Sequence, residues 1–471
     1  MNEYKLTVGL EVHAELSTRT KMFCASKNDP DEERPNVNVC PVCMGHPGTL
    51  PVTNKEAVKS VLRLGAAVGG QLADYTEFDR KNYFYPDIPK GYQISQYKHP
   101  LVSGGELAGV TLTRVHLEED TASSEHKETG ESLVNFNRAG APLMELVTEP
   151  VIHSAEEAGR FARELQLVLQ YLGISHANME KGEMRVEANI SVSKTDAFGT
   201  KVEVKNLNSF KAVERAIQYE MQRHIAALER GEAIVQETRG WDENRQETFS
   251  QRQKEDSHDY RYFPDPDLPK LFISEIPEFS LDALKASLPE LPADKRTRLE
   301  REYGIKPDDA EFLAKDRAWA DFYEAAARGE AENIRILTAN YLISDVKSLA
   351  EKADMAIGET KLVPEALTQL MRMVAGGELG SRGAKDVLAV LVAEGGDPRS
   401  IADARGLFQK SDEGALKEVA AKIISENQKA VLEYKSGKEA SMQFLIGQGM
   451  KVMKGSANPQ VLKKVFEELL K

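Results

Sequence analysis

Hydrophobic and polar residues alternate with unusual regularity along Leu6–Leu16, near the start of the chain. Hydrophobic residues occupy the even positions, and the odd positions between them carry Thr7, Gly9, Glu11, His13 and Glu15. A period of two predicts a β-strand with one buried face, because successive side chains of a strand point to opposite sides. The second face combines carboxylates with an imidazole. Such a face can bind a divalent cation or carry out acid–base chemistry, and the alternative is an ordinary solvated face.

The same alternation recurs in 183–193 and in 200–206, which together predict an antiparallel hairpin. If these strands share a sheet with Leu6–Leu16, its polar face becomes a broad charged floor suited to a charged substrate and its metal. Two capping boxes, beginning at Thr53 and Ser154, predict helices that end at Gly69 and Gly70 and near Gly173.

Several segments between these elements lack periodicity and are rich in aromatic and polar residues: 78–87, 90–97, 116–120, 136–150 and 260–269. Their prolines favour loops or edge strands over central strands. Loops of this composition often form the walls of a binding site, although they could equally be plain surface loops.

Beyond the proline-containing stretch 289–292, nearly all of the sequence predicts helix, with a second break near 397–406. We therefore expect an α+β fold in three domains: 1–292 with an antiparallel sheet, an all-α domain over 293–404, and a small helical tail over 405–471. A chain of 471 residues is too long for a single core, which agrees with this division.

The net charge of the chain is −14, which argues against a protein coated in nucleic acid. The charge is uneven, because 405–471 contains 12 Lys and Arg against 8 Asp and Glu. This basic tail is a candidate contact for a polyanion, or it is a helical surface with ordinary lysines. The sequence shows no signal-peptide pattern and no apolar run long enough to cross a bilayer, so we expect a cytoplasmic location.

The three cysteines, Cys24, Cys40 and Cys43, are spaced as in a zinc ribbon that lacks one ligand. His46 is a candidate for the fourth position. The alternative is a metal-free knuckle held by turns and packing.

The sequence contains no phosphate-binding loop of the GxxxxGK[ST] type, no dinucleotide fingerprint, no kinase HRD or DFG set and no GxSxG elbow. It does contain nine ordered motifs that resemble the B subunit of the glutamyl/aspartyl-tRNA amidotransferases: GLEVHAELSTRTKMF, CPVCMGHPGTLPV, FDRKNYFYPDIPKGYQISQ, LEEDTASS, FNRAGAPLMELV, VEANIS, VKNLNSF, YRYFPDPDLP and GKEASMQFLIGQGMKVMKGSANP. The similarity covers essentially the whole chain.

The resemblance implies a kinase-like catalytic domain, a helical cradle and a tail domain that contacts tRNA. It also implies an ATP-dependent carbon–nitrogen ligase with glutamine as amido donor. The side-chain carboxylate of a misacylated Glu-tRNA(Gln) or Asp-tRNA(Asn) is phosphorylated, and ammonia then displaces the phosphate. The implied cofactors are ATP and Mg²⁺. Because no amidase signature is present, the ammonia is expected from the A subunit of a heterotrimer whose small third member is the C subunit.

In this sequence Glu11 and His13 match the metal-binding motif of the family. We add Glu119 and Glu145 as further candidate Mg²⁺ ligands, and Glu118 and Glu187 as second choices. The remaining candidates for contacts to phosphate, nucleotide or the substrate carboxylate are Lys81, Lys205, Arg138, Glu187 and Asn189. The family often has Cys-x-Cys where this chain has Cys24 and Ser26, and serine is a poor zinc ligand.

A second function fits the tail equally well, namely a non-catalytic tRNA-binding subunit of the same assembly. A pure binding module, however, has no need of paired carboxylates on a sheet floor.

Overall fold

The computed structural model describes residues 4–127, 129–253, 260–409, 413–453, 457 and 459–470. The chain divides into two compact units, Met1–Pro292 and Ala293–Lys471. The first unit is built on β-sheets with covering helices, and the second is helical throughout its described elements. No described helix has both the length and the apolar composition that crossing a bilayer requires.

The strands of the first unit are β1 (Lys5–Glu15), β2 (Gln71–Leu72), β3 (Tyr75–Thr76), β4 (Asp79–Asn82), β5 (Tyr92–Ser95), β6 (Val102–Ser103), β7 (Glu106–Leu107), β8 (Val110–Glu119), β9 (Ser123–His126), β10 (Ser132–Asn135), β11 (Pro142–Thr148), β12 (Met184–Ser193), β13 (Val202–Leu207), β14 (Glu237–Asp242), β15 (Glu247–Gln253), β16 (Phe263–Pro264) and β17 (Leu271–Phe272).

The helices are α1 (Lys55–Ala67), α2 (Ala155–Leu172), α3 (Phe210–Glu229), α4 (Leu281–Ala286), α5 (Pro292–Arg298), α6 (Pro307–Ala314), α7 (Arg317–Ala327), α8 (Glu332–Tyr341), α9 (Lys347–Lys352), α10 (Pro364–Ala375), α11 (Ser381–Ala393), α12 (Pro398–Ala404), α13 (Glu413–Glu426), α14 (Gln428–Lys435), α15 (Ala440–Val452) and α16 (Pro459–Leu470). Single π-helical turns follow α5 and α8.

One large sheet dominates the first unit, with the strand order β15-β14-β13-β12-β1-β11-β8-β6-β2 and with β7 attached to β8. The predicted strand β1 lies in its middle and pairs antiparallel with β11 and β12. The hairpin of β12 and β13 is antiparallel, as predicted. The sheet is nevertheless mixed, because β13 and β14 run parallel.

The hydrophobic face of β1 is completely covered, because Leu6, Val8, Leu10, Val12 and Ala14 are each at most 4% exposed. The same cluster of buried side chains contains residues of α1, α2 and α3, among them Leu62, Phe161, Leu165, Val213 and Ile217. Helices therefore cover one face of the sheet, and the polar residues of β1 face the other way.

The segment 136–150 was predicted to be a loop or an edge strand, and this prediction is wrong for β11. This strand lies between β1 and β8 and is hydrogen-bonded on both sides. Pro142 is its first residue, a position at which proline does not interrupt the ladder. The segment 116–120 likewise lies mostly within β8.

The predicted helices are present, and their caps explain where they begin. Ser154 accepts the backbone N–H of Glu157 at the start of α2, and Gly173 ends that helix in a left-handed conformation. At α1 the capping residue is Asn54, whose side chain accepts the N–H groups of Glu56 and Ala57. The predicted capping box had placed Thr53 in that role.

The helical unit contains two separate clusters of buried hydrophobic side chains, one between Leu299 and Ala402 and the other between Leu416 and Leu470. The predicted division of this unit into a cradle and a tail at residues 404 and 405 stays a prediction.

Candidate active site

The polar face of the sheet gathers acidic and imidazole side chains from three neighbouring strands around His13. Its Nε2 atom lies 3.4 Å from Glu145 Oε2, 3.6 Å from Glu118 Oε1 and 3.9 Å from Glu11 Oε1. Strand register explains this arrangement, since His13 is directly opposite Glu145, which is in turn opposite His116. We call Glu11, His13, His116, Glu118 and Glu145 the acid–histidine cluster.

Potential metal-ligating atoms within the acid–histidine cluster lie within 4.8 Å of one another in two overlapping groups. One group is Glu11, His13 and Glu145, and the other is His116, Glu118 and Glu145. A third group of the same kind, Glu11, Glu187 and Glu203, extends the acidic surface across β12 to β13. Carboxylate oxygens at such spacing can share one hard divalent cation.

Burial of so many like charges shifts the pKa values of the cluster strongly. Burial, together with the neighbouring Glu145 and Glu187, raises the pKa of Glu11 to about 7. Burial lowers the pKa of His13, but its hydrogen bond to Glu145 and the charge of Glu118 outweigh that effect and raise it to about 9. Burial lowers the pKa of His116. The site therefore contains one carboxyl, that of Glu11, whose negative charge the surrounding groups do not fully neutralise near neutral pH.

Lys81 and Lys205, both predicted from the sequence, border this acidic surface. Burial lowers the pKa of Lys81, but attraction to Glu118 and Glu145 outweighs it and holds the pKa above its usual range. Lys205 donates a hydrogen bond to Glu187 at 2.9 Å and lies 3.4 Å from Glu203. Lys81 therefore acts on Glu118 and Glu145, whereas Lys205 balances the acids of β12 and β13 and also attracts Glu11.

Arg138 and Asn189 lie outside the acid–histidine cluster. Arg138 donates to both carboxylate oxygens of Asp120 and lies 3.2 Å from Glu15, so its charge is already shared between two acids. Asn189 is opposite Gly9 and Glu203, and its side-chain oxygen is buried without a hydrogen-bond partner. An orphaned buried acceptor of this kind favours a donor from a bound molecule.

The structure does not bring Glu119 to the acid–histidine cluster. Its carboxylate accepts from the ammonium group of Lys90 and from the backbone N–H of Ile94. Its neighbour Glu118 faces the cluster instead, because adjacent residues of a strand point to opposite faces. His116 and Glu203 were not predicted. A period-two reading of β8 pairs His116 with Glu118 and would have found the first of them.

A second group of potential ligands is formed by Cys24, Cys40 and Cys43, whose sulfur atoms lie within 4.8 Å of one another. His46 is exposed and does not belong to this group. The ammonium of the buried Lys21 donates to Cys43 Sγ at 3.8 Å and to the carbonyl oxygens of Phe136 and Ala139. The backbone N–H of Cys40 and the charge of Lys21 help to lower the pKa of Cys43 to about 4, with the hydrogen bond from Cys24 as the largest cause.

Comparison with known proteins agrees with the motifs. Residues 6–277 match the family model described as the GatB/GatE catalytic domain, and residues 321–470 match the GatB domain. The B subunit of the aspartyl/glutamyl-tRNA(Asn/Gln) amidotransferase of Thermomicrobium roseum is 46% identical over an alignment of 481 positions, which covers 99% of each chain. The chain belongs to the GatB family.

Two further GatB proteins show the same full-length similarity. The B subunits of the same enzyme from Carboxydothermus hydrogenoformans and Crocosphaera subtropica are 43% and 42% identical, and they cover 100% and 99% of this chain. The GatB/GatE catalytic domain match includes every residue of the acid–histidine cluster and the three cysteines.

The raised pKa of Glu11 gives a test of the cluster by pH. A carboxyl whose folded-state pKa is raised contributes stability below its unfolded pKa and loses it as pH rises through the folded value. Between pH 4.5 and 7, wild type should therefore lose up to about 3 kcal/mol of unfolding free energy relative to Glu11→Gln.

The measurement is urea denaturation of both proteins across that range with a chelator present. The exposed Glu106→Gln serves as the control and should follow wild type at every pH. Parallel curves for wild type and Glu11→Gln would contradict the crowded arrangement.

Proposed function

We propose that this chain is the activating subunit of a glutamine-hydrolysing, tRNA-dependent amidotransferase. In this reaction a carboxylate oxygen of Glu-tRNA(Gln) or Asp-tRNA(Asn) attacks the γ-phosphorus of ATP, and ADP leaves. Ammonia then attacks the activated carbonyl carbon and phosphate leaves, which gives Gln-tRNA(Gln) or Asn-tRNA(Asn). The single observation that carries the proposal is the acid–histidine cluster with Lys81 at its border.

The cluster fits the Mg²⁺ that ATP chemistry requires. Glu11, His13 and Glu145 would hold the ion together with Glu118, which takes the place that the sequence had suggested for Glu119. Because the pKa of His13 is raised to about 9, its imidazole would have to release a proton when the ion binds. The pKa of Glu11 is raised first by burial and then by the charges of Glu145 and Glu187, and a bound divalent cation would oppose both effects. When bound, Mg²⁺ supplies charge neutralisation for the transferring phosphoryl group.

The residues of the chain itself supply positioning and charge. Lys81 offers an ammonium to phosphate oxygens at the edge of the acidic floor. Asn189 offers its unpartnered oxygen to a donor on the substrate, and Glu187 positions Lys205 through their 2.9 Å hydrogen bond. The kinase-like description of the first unit also belongs to this proposal.

The alternative, a tRNA-binding subunit without chemistry, leaves the acid–histidine cluster unexplained. Buried carboxylates on adjacent strands cost stability unless a cation or a reaction uses them. The relatives are named as subunits, and the sequence has no amidase signature. We therefore assign ammonia production to the A subunit, an amidase, with a small C subunit in the same cytoplasmic heterotrimer.

If the acid–histidine cluster is catalytic, Glu11→Gln should lower amidated-tRNA formation by the assembled complex roughly 100-fold or more. The change keeps the shape of the side chain but removes its charge. His13→Ala should have a similar effect. ATP-dependent product formation and ADP release are measured, with thermal unfolding and tRNA binding as checks of folding.

Glu106→Gln, an exposed glutamate away from the cluster, is the matched control and should keep wild-type rates. If both Glu11→Gln and His13→Ala keep near wild-type activity, the acid–histidine cluster is not the catalytic site.

The cysteine group provides an incomplete set of ligands for a structural zinc. Its three sulfurs would supply three of the four ligands that such a zinc takes, and His46 would have to supply the fourth. A metal-free knuckle is the competing assignment, supported by the ammonium of Lys21 beside Cys43.

The zinc assignment predicts about one zinc per chain by elemental analysis of protein purified without chelators, and its loss in Cys40→Ser. Ser26→Ala is the control, because serine is a poor zinc ligand, and should leave the zinc content unchanged. A zinc content near zero in wild type would establish the metal-free knuckle.

We propose that the tail contacts tRNA through its exposed lysines. Lys451, Lys463 and Lys464 are exposed, and the neighbouring Lys454 lies outside the described residues. Among the described residues, Lys463 is paired with Glu467 at 3.7 Å on the helix surface. Exposed ion pairs of this kind contribute little to stability, so the lysine remains able to bind a phosphate group.

Changing both Lys463 and Lys464 to Gln should weaken tRNA binding and reduce its salt slope by roughly two units, one for each phosphate that is no longer neutralised. Affinity is measured at several salt concentrations for the full complex. Lys385→Gln, a lysine of the helical unit paired with Asp345, is the control. An unchanged slope in the double variant would make these lysines a solvated helix surface.

A further inference from the structure

Four tyrosines form an ordered group of rings close to the acid–histidine cluster. Tyr97 and Tyr262 are stacked, with ring centroids 4.6 Å apart and planes 12° from parallel. Tyr260 meets Tyr262 edge-on at 6.1 Å, and it meets Tyr83 in the same way at 5.7 Å. We call Tyr83, Tyr97, Tyr260 and Tyr262 the aromatic wall.

The aromatic wall is not part of the hydrophobic core. Tyr97 is 54% exposed, and the residues that follow Tyr83, Phe84 and Tyr85, are 91% and 60% exposed. Single exposed aromatic side chains are ordinary, but a stacked pair with such exposed neighbours presents a large apolar area to water. Such an area indicates a contact surface for a ligand with its own flat apolar face.

The backbone holds the aromatic wall in place. The N–H of Tyr97 donates to the buried Asp79 at 2.9 Å, and the side-chain amide of Asn82 donates to the carbonyl oxygens of Tyr260 and Arg261. β16 pairs with β4 next to these contacts. The rings are therefore positioned before any ligand arrives, which lowers the entropic cost of binding.

Lys81 joins the aromatic wall to the acid–histidine cluster. Its ammonium lies 4.9 Å from the ring centroid of Tyr260 and at the same time is attracted by Glu118 and Glu145. A ligand that extends from the stacked pair towards Tyr260 would therefore have its anionic part next to Lys81 and to the cluster. The flat apolar surface and the adjacent ammonium together match the chemistry of an adenosine nucleotide.

We propose that the aromatic wall is a stacking platform for an adenine base, with Tyr97 as its outer ring and Lys81 on the phosphate side. The proposal rests on the proposed function and adds to it the element that holds the base. Aromatic stacking needs no hydrogen-bond readout, so the same chemistry serves the adenine of ATP and the terminal adenosine of tRNA. The two sources are separated by experiment.

The test compares Tyr97→Leu with Tyr97→Phe in the full complex, using calorimetry with Mg-ATP, with Mg-tripolyphosphate, and with tRNA that has or lacks its terminal adenosine. Tyr97→Leu should weaken either Mg-ATP or intact tRNA about tenfold, and Tyr97→Phe should restore binding because it keeps the ring. Loss for ATP alone assigns the platform to the nucleotide. Loss for intact tRNA alone, with the truncated tRNA unaffected, assigns it to the tRNA end.

Tripolyphosphate has no base, so its binding should be the same in wild type and in Tyr97→Leu. Phe198→Leu, an aromatic residue 70% exposed in the loop between β12 and β13, is the matched control and should bind every probe normally. Unchanged binding of both ATP and tRNA by Tyr97→Leu, or an equal loss for tripolyphosphate, would overturn the platform. The Glu11→Gln measurement would be unaffected by that outcome, so the two proposals fail separately.

Discussion

Burial of one face of β1 is the constraint on which the site depends. The helices cover its hydrophobic side chains, each worth about 1.5–3 kcal/mol when removed from water. The pairing of β1 with β11 and β12 then fixes where Glu11 and His13 point. Carboxylates that repel one another are held together because moving them apart would expose the core face. The electrostatic cost of the cluster is thus offset by packing on the opposite side of the sheet.

Sequence periodicity predicted β1, β12 and β13, and capping boxes predicted the helices α1 and α2, because each of these signals lies within a single segment. It failed at β11, where Pro142 suggested an edge although the proline occupies the first strand position. It also chose Glu119 over Glu118 as a cluster ligand. Adjacent residues of a strand point to opposite faces of the sheet, so only one of Glu118 and Glu119 can point towards the cluster. The pairing of β8 with β11 decides which one does, and this pairing is a long-range property. The spacing of the three cysteines predicted that they lie together, but it did not predict that His46 lies outside their group.

The site combines surfaces of different chemical character. The sheet floor is acidic and the aromatic wall is apolar. Lys81 is attracted by the acids of the floor and lies 4.9 Å from the ring centroid of Tyr260. An anionic substrate meets repulsion on the floor unless cations accompany it, which makes metal neutralisation part of binding as well as of chemistry. Arg138 does not relieve this repulsion, since Asp120 and Glu15 already engage it. It stabilises the floor instead.

The position of β1 in the chain has a consequence for biosynthesis. This strand is translated before the other strands of its sheet, and its neighbours β11 and β12 begin only at Pro142 and Met184. At translation rates of about 5–20 residues per second, β1 emerges and waits on the order of ten seconds or more before either partner exists. During that interval both of its edges and its row of aliphatic side chains lack their native cover. The strand that organises the finished site therefore spends this interval open to non-native contacts, from which a chaperone would protect it.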